Sequence, residues 1–241
     1  MRYIKTRAIV LQQVRYGETS LICRVFTRES GLLSLMIKGA RSPRSVLKAN
    51  RFQVMSLLDL VITDKPGASM QYVKEATLSP PFNHLPYDDW RRSTGIFLTE
   101  VLFRILQDAA IHDEMFDFAE KMLLSLDADN RPFHTFTHFM LLEYARLLGL
   151  YPLMKDEGEG YFYWGEGSFF LEPAVHAANW NESRLLERFV RACDSGVQIV
   201  LTNSERAILL DVLLSYLSWH IESLQSIRSL DILRELYRRE E

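Results

Sequence analysis

Cysteine is almost missing from this chain of 241 residues: there are two, Cys23 and Cys193, far apart and each inside an apolar segment. That scarcity rules out a disulfide scaffold. It reads instead as a pair of small buried hydrophobes in a reducing compartment, although one bridge between them is conceivable. Long apolar runs are missing too, and none approaches the ~20 residues a membrane-spanning helix needs. The first residues, MRYIKTR, lead straight into an alternating strand, so no cleaved leader is expected and a soluble, cytoplasmic protein is. Catalytic signatures are equally scarce. Lys38-Gly39-Ala40-Arg41 has neither the glycine spacing nor the strand–helix context of a Walker loop, and no nucleophile–base pair or metal-spaced carboxylate cluster stands out. His134 and His138 have the i, i+4 spacing of two zinc ligands, but Thr135-Phe136-Thr137 between them lacks the glutamate of HExxH. A structural histidine pair is the better reading, and no enzyme, metal or cofactor is expected. Internal repeats and low-complexity tracts are absent as well.

What is present is an uneven distribution of charge. The net charge of -3 conceals two opposite parts. Residues 1–80 carry 13 Lys and Arg against 5 acids, a net +8, whereas residues 81–241 carry 15 against 26, a net -11. An asymmetry of that size points to a polyanion-binding module joined to a second domain.

Periodicity divides the chain at the same place. YIKTRAIVLQQV (3–14), SLICRVFT (20–27), LLSLMIK (32–38), FQVMSLLDLVI (52–62) and QYVKEATL (71–78) read as five short strands separated by turns at Tyr16-Gly17-Glu18, Glu29-Ser30-Gly31 and Asp64-Lys65-Pro66-Gly67. In the second of them Leu21, Cys23 and Val25 alternate with Ile22, Arg24 and Phe26. Five strands in so short a segment predict a small antiparallel barrel over 1–80. Pro80, Pro81 and Pro86 punctuate the junction, and apolar spacing then becomes helical over 89–109, 113–126 and 133–150. A helix over 181–193 is predicted with Asn181 as its cap. Another is predicted from the Thr202–Glu205 capping box to about Leu224, and SLDILRELYRR forms the last. One β-hairpin interrupts the helices at about 158–173, where GYFYWGEGSFFLEP turns at Gly165-Glu166-Gly167. The predicted fold class is therefore β + α: an N-terminal five-stranded barrel (1–80), then an all-helical domain (81–241) with an inserted hairpin.

The segment KGARSPRSVLKANR (38–51) breaks the strand pattern and carries the chemistry. Lys38, Arg41, Arg44, Lys48 and Arg51 fall within it with no acid, beside Gly39, Ser42 and Ser45. Flexible backbone and hydroxyls approach phosphate closely while Lys and Arg neutralise it. Arg24, on the outer face of the second strand, extends the patch. A solvated loop without a partner is the plainer alternative, but five bases with no acid favour nucleic acid. Rings for base stacking are less clear. Tyr3, Tyr16, Phe26, Phe52 and Tyr72 are available; the strand period assigns Phe26 and Phe52 to the core and leaves Tyr16, in a turn, as the exposed candidate. Phosphate contact should therefore dominate the grip. In the acidic part, Arg184, Arg188 and Arg191 recur on one helix face; this is either a solvated face or a dock for an acidic peptide.

The run TRAIVLQQVRYGETSLICRVFTRESGLLSLMIKGARSPRS resembles the N-terminal domain of the RecO family of DNA repair and recombination mediators. The match is carried by Ala8-Ile9-Val10-Leu11, Tyr16-Gly17-Glu18 with Ser20, Phe26-Thr27 before Gly31-Leu32-Leu33, and Lys38-Gly39-Ala40-Arg41 closed by Ser45. Leu147-Leu148-Gly149-Leu150-Tyr151-Pro152 extends it into the second half. The resemblance implies an OB fold followed by a helical domain. It also implies a non-enzymatic role: binding single- and double-stranded DNA, annealing complementary strands, and assisting RecA onto DNA coated with single-strand-binding protein, together with RecR. The family's DNA-contacting residues fall on Lys38 and Arg41. A groove for the acidic tail of single-strand-binding protein is implied in the helical domain. Association with the nucleoid in the cytoplasm follows. Many members carry a four-cysteine zinc site after the Leu-Gly-x-x-Pro element; here Tyr151 to Pro173 holds no cysteine, so zinc is not expected and aromatic packing of the hairpin replaces it. A protein-interaction adaptor and an RNA-binding OB-fold factor are the alternatives.

Overall fold

The computed structural model describes residues 2–108, 113–130, 133–154 and 160–239. The chain divides into two compact units, Met1–Asn130 and Arg131–Glu241.

The first unit opens with five strands: β1 (Arg2–Tyr16), β2 (Ser20–Thr27), β3 (Gly31–Ile37), β4 (Leu57–Asp64) and β5 (Gln71–Leu78). They close into a barrel in the order β1-β2-β3-β5-β4. Closure is possible because β1 is long enough to pair with β2 through its second half and with β4 through its first. The one parallel pairing, β3 with β5, joins Leu35 and Met36 to Gln71 and Tyr72. This is the OB-fold arrangement that the resemblance implied, and the antiparallel barrel expected from periodicity is closed by this one parallel pair. Alternation fills its interior with Ala8, Val10, Leu21, Cys23, Val25, Leu35, Ile37, Leu58, Leu60 and Ile62. Burial raises the Cys23 thiol to about 12, so it stays a neutral hydrophobe.

One predicted strand starts late. Residues 52–56 form no strand: Ala49–Phe52 form a short 3-10 helix that drives Phe52 fully into the core, and Met55 takes a left-handed φ of 76°. Hydrogen bonds from Met55 N to Val10 O (2.8 Å) and from Val10 N to Ser56 O (3.0 Å) then splice the chain back onto β1, and β4 begins at Leu57. A continuous apolar run looks the same whether it lies in a strand or plugs a barrel end.

Two helices, α1 (Asp89–Asp108) and α2 (Asp113–Asp127), belong to this same unit, although the shift in periodicity near residue 80 separates them from the strands in sequence. Phe26 faces outward from β2 and is nevertheless buried, because it meets Phe116 of α2 edge-on at 5.4 Å. Arg7 pairs with Glu120 at 2.6 Å and Arg28 with Asp117 at 2.9 Å. The junction is fixed by Asp127, whose carboxylate accepts N–H bonds from Asn83, His84 and Leu85 at 2.8–2.9 Å. Buried Arg91 donates to the Leu126 carbonyl at 3.1 Å and so closes the C-terminal end of α2.

The second unit holds α3 (Phe136–Leu147), a hairpin of β6 (Tyr161–Tyr163) and β7 (Ser168–Phe170), then α4 (Trp180–Asp194), α5 (Asn203–His220) and α6 (Leu230–Arg239). The hairpin matches the predicted one, whose first two residues, 158 and 159, lie outside the described residues. It is held by rings. Phe162 is fully buried against Phe169 at 5.0 Å and Tyr216 at 4.9 Å, and a side chain at Gly167 (φ 58°) would collide with the Tyr216 hydroxyl. The segment offers no thiolate for a metal, since Cys23 lies in β2 and Cys193 in α4.

Three boundaries differ from the sequence reading. The cap of α4 is Asn179, not Asn181: its side chain accepts from Glu182 N while the Glu182 carboxylate accepts from Asn179 N, a complete capping box. The Thr202–Glu205 box does cap α5, but that helix stops at His220 and a separate 3-10 turn covers Glu222–Gln225. α3 starts only at Phe136, which separates the two histidines. His134 is exposed before the helix; His138 is fully buried, with its Nε2 2.8 Å from Arg206 O. Burial lowers the His138 imidazole to about 4, so it is a neutral core residue.

Candidate nucleic-acid interface

The basic loop leaves β3 at Gly39, whose φ of 66° favours a residue without Cβ. It does not trail into solvent. Arg41 N donates to Thr19 O at 2.8 Å, which ties the loop to the β1–β2 turn, and Ala49 N donates to Ala40 O at 3.0 Å, which closes its neck. Ala40 is buried in the barrel core, and Leu47 and Ala49 pack against it. Internal turns, Ser42 N to Gly39 O at 2.9 Å and Ser45 N to Ser42 O at 3.1 Å, fold what remains. Ala40, Leu47 and Ala49 thus face inward while Lys38, Arg41, Arg44 and Lys48 face out.

Lys38, Arg41, Arg44 and Lys48 are all exposed, and among the described residues none is engaged by a carboxylate. Tyr16 is 55% exposed at the end of β1, beside the Thr19–Arg41 tie, so the structure brings it to the same end of the barrel. Two predicted residues sit differently. Arg51 is half-buried and donates to the Ala76 carbonyl at 3.0 Å, pinning the loop's end to β5. Arg24 lies mid-strand, half-buried, with its guanidinium bonded to the Ser34 hydroxyl across the β2–β3 pair. Phe26 and Phe52 are buried, as expected, but not through the strand period: Phe26 is covered by Phe116 of α2 and Phe52 enters the barrel from the 3-10 helix.

The sequence reading named Tyr72 among the available rings without joining it to Lys38, and left Lys65 out of this surface. Lys38 Nζ stands 4.8 Å from the centre of the Tyr72 ring and Lys65 Nζ 6.0 Å from it. No local signal marks this cluster, because it depends on the parallel closure of β3 against β5.

The α4 arginines form a second cluster of different character. They line a groove of about 640 Å³ with Leu185, Ile208 and Glu205. Arg184 and Arg191 both bond Glu187, at 2.8 and 2.9 Å, and Arg188 bonds Glu205. The Glu205 carboxyl is held below the usual carboxylate range by the Thr202 backbone N–H first and by Arg188 next.

Among the described residues no group of three or more His, Cys, Asp or Glu could hold a metal ion, and no helix is long and apolar enough to cross a membrane. Two family models match the chain: Recombination protein O N terminal over residues 1–82 and Recombination protein O C terminal over 88–230. Among curated relatives, the DNA repair protein RecO of Phocaeicola vulgatus is 31% identical over 237 residues, covering 97% of this chain and 98% of the relative. RecO of Flavobacterium johnsoniae is 32% identical over 237 residues, with 97% and 99% covered, and that of Flavobacterium psychrophilum 30% over 236 residues, also 97% and 99%. An OB-fold barrel with a tethered basic loop, a helical second half and matches spanning both place this chain in the RecO family of DNA repair and recombination proteins.

Proposed function

We propose that the protein acts by binding, not catalysis: it holds single- and double-stranded DNA on the barrel's basic loop, anneals complementary strands and, with RecR, assists RecA onto DNA coated with single-strand-binding protein. The observation that carries this is the set of four exposed cations, Lys38, Arg41, Arg44 and Lys48, presented on an anchored loop without carboxylate partners. Cations already satisfied by acids add little to polyanion affinity; unengaged ones exchange bound counterions for phosphates. Arg51 and Arg24 support the surface from behind, and Tyr16 flanks it. The workplace would be the cytoplasm, at the nucleoid.

The α4–α5 groove is the site we assign to the acidic tail of single-strand-binding protein. Its lining of Leu185 and Ile208 together with three guanidiniums suits a short peptide with both carboxylates and an apolar residue.

Fluorescence anisotropy with labelled single-stranded DNA, duplex and single-stranded RNA across a salt series tests the loop. Log affinity for the single strand should fall with log salt at about -0.7 per neutralised phosphate. Lys38→Glu with Arg41→Glu should abolish binding; wild-type-like binding by that variant overturns the assignment. Tighter binding to RNA than to DNA would favour the RNA-binding alternative. Complementary strands that anneal no faster with the protein than without it would remove the mediator role. For the groove, a labelled acidic tail peptide should lose affinity when Arg184, Arg188 and Arg191 become Ala.

A further inference from the structure

The barrel surface beside the loop carries a ring that has been placed with care. Tyr72 is the second residue of β5 and, through the register Tyr3↔Thr63 and Ile62↔Val73, shares the outward face of the sheet with Thr63 and Tyr3. Its backbone N–H donates to Thr63 Oγ1 at 2.9 Å, and that hydroxyl donates to Gln71 Oε1 at 2.8 Å. The Gln71 amide also clasps both backbone groups of Lys65, accepting from its N–H at 3.2 Å and donating to its carbonyl at 2.9 Å. A single side chain therefore fixes the β4–β5 turn, its lysine and the ring together. From the other side, Lys38 leaves the end of β3, whose Met36 is paired with Tyr72. The ring is half-buried, so it is oriented by the sheet yet reachable. Farther along the same face, Lys74 rests 5.0 Å from the Tyr3 ring, with Glu75 3.5 Å from its ammonium.

We propose that Tyr72 is a base-stacking platform for single-stranded nucleic acid, held covered by Lys38 and Lys65 until a strand arrives. An ammonium gains less from the face of a ring than from a phosphate oxygen. A strand entering along the basic loop draws both lysines onto its phosphates, and the π face they leave accepts a base. Stacking and neutralisation then occur in one step at one place, and Tyr16, at the exposed β1–β2 turn, serves only as a flank. Gln71 is a positioning residue, since it touches the ring's neighbours and not the strand. The inference rests on the DNA-binding reading above and adds to it the residue that meets the bases.

The test uses the full chain and two probes of equal length and charge: oligothymidylate and an abasic oligomer, which has phosphates but nothing to stack. Tyr72→Ala should weaken binding of oligothymidylate by roughly 5- to 100-fold, the range for one stacked base, and change abasic binding by no more than about twofold. Tyr72→Phe keeps the π face and should bind both as the wild type does. If Tyr72→Ala melts early, Tyr72→Trp supplies the answer: its emission, above that of the four native tryptophans, should be quenched by oligothymidylate and not by the abasic oligomer. Equal losses on both probes, or none on either, overturn the platform while leaving phosphate-driven binding intact. A wild-type protein that binds neither probe overturns the DNA-binding reading and this inference with it.

Discussion

Two arginine-rich stretches of this chain look alike as sequence and differ as structure. The loop from Lys38 to Arg51 and the α4 face of Arg184, Arg188 and Arg191 both present bases at short intervals. In the loop, four of the five cations are exposed and none of them is paired with an acid. On α4 every guanidinium is matched, two of them to Glu187, which is buried, and one to Glu205. The first arrangement stores affinity for an external anion; the second fixes three guanidiniums in place around a groove. A count of basic residues does not tell a surface open to a polyanion from a groove whose guanidiniums are already paired. What distinguishes them is whether the charge has already been spoken for within the fold.

The largest expected difference is in DNA affinity. Charge reversal at Lys38 and Arg41 should cost more than about 100-fold in single-strand affinity at moderate salt, while Ala at all three α4 positions should change it by less than about twofold, both read by anisotropy. A comparable loss from the α4 variant would erase the distinction. Next, the second unit, which holds the α4 face, should respond to acid through a buried histidine. His138 is neutral in the folded protein and its imidazole, lowered to about 4, lies below its unfolded value near 6.5. The unfolded chain therefore binds the proton first: the stability is present in full above pH 6.5 and is lost as pH falls towards 4, by roughly 3 kcal/mol at most. Urea melts at pH 7 and pH 4.5 should show a flatter pH dependence for His138→Leu than for the wild type.

Removing the partners of Glu187 comes third. Arg184→Ala with Arg191→Ala leaves a carboxylate buried and unmatched, and should destabilise the second unit by about 2 kcal/mol in chemical denaturation. Arg44→Ala in the loop should leave stability unchanged. Arg51 sits between the two classes, and Arg51→Ala should lose about 1 kcal/mol of barrel stability through its bond to Ala76 O, more than it loses in DNA affinity. The smallest effect is at Arg188, where the pair with Glu205 is exposed; Arg188→Ala should cost no more than about 0.5 kcal/mol.

Much of this was legible in the residues. The two-residue period of SLICRVFT gave the orientation of Leu21, Cys23 and Val25, and the Thr202–Glu205 spacing gave the start of α5. The pairing of Glu187 with Arg184 and Arg191 was also available, since i, i+3 and i, i+4 neighbours share a helix face. Other features depend on closure over long sequence separations. Lys38 meets Tyr72 only because β3 lies parallel to β5, and Glu205 reaches Arg188 only because α5 packs on α4. The plug at Phe52 was hidden for another reason: apolar residues in a strand and apolar residues under a loop carry the same letters. Local pattern specified the faces, and topology specified which faces meet.

The anchoring of the basic loop has an effect on how the protein tolerates heat. Its cations hold their spacing because Phe52, Leu47 and Ala40 are seated in the barrel and Arg41 N is bonded to Thr19 O. Ordering that segment, at about 1–2 kcal/mol per residue of backbone freedom, is completed during folding and not at the moment a strand binds. The grip on DNA is thus a lodger in the barrel's core. Loosening the core with Phe52→Ala would unfasten cations that the substitution never touches, and on warming the loop should keep its shape until the barrel itself comes apart.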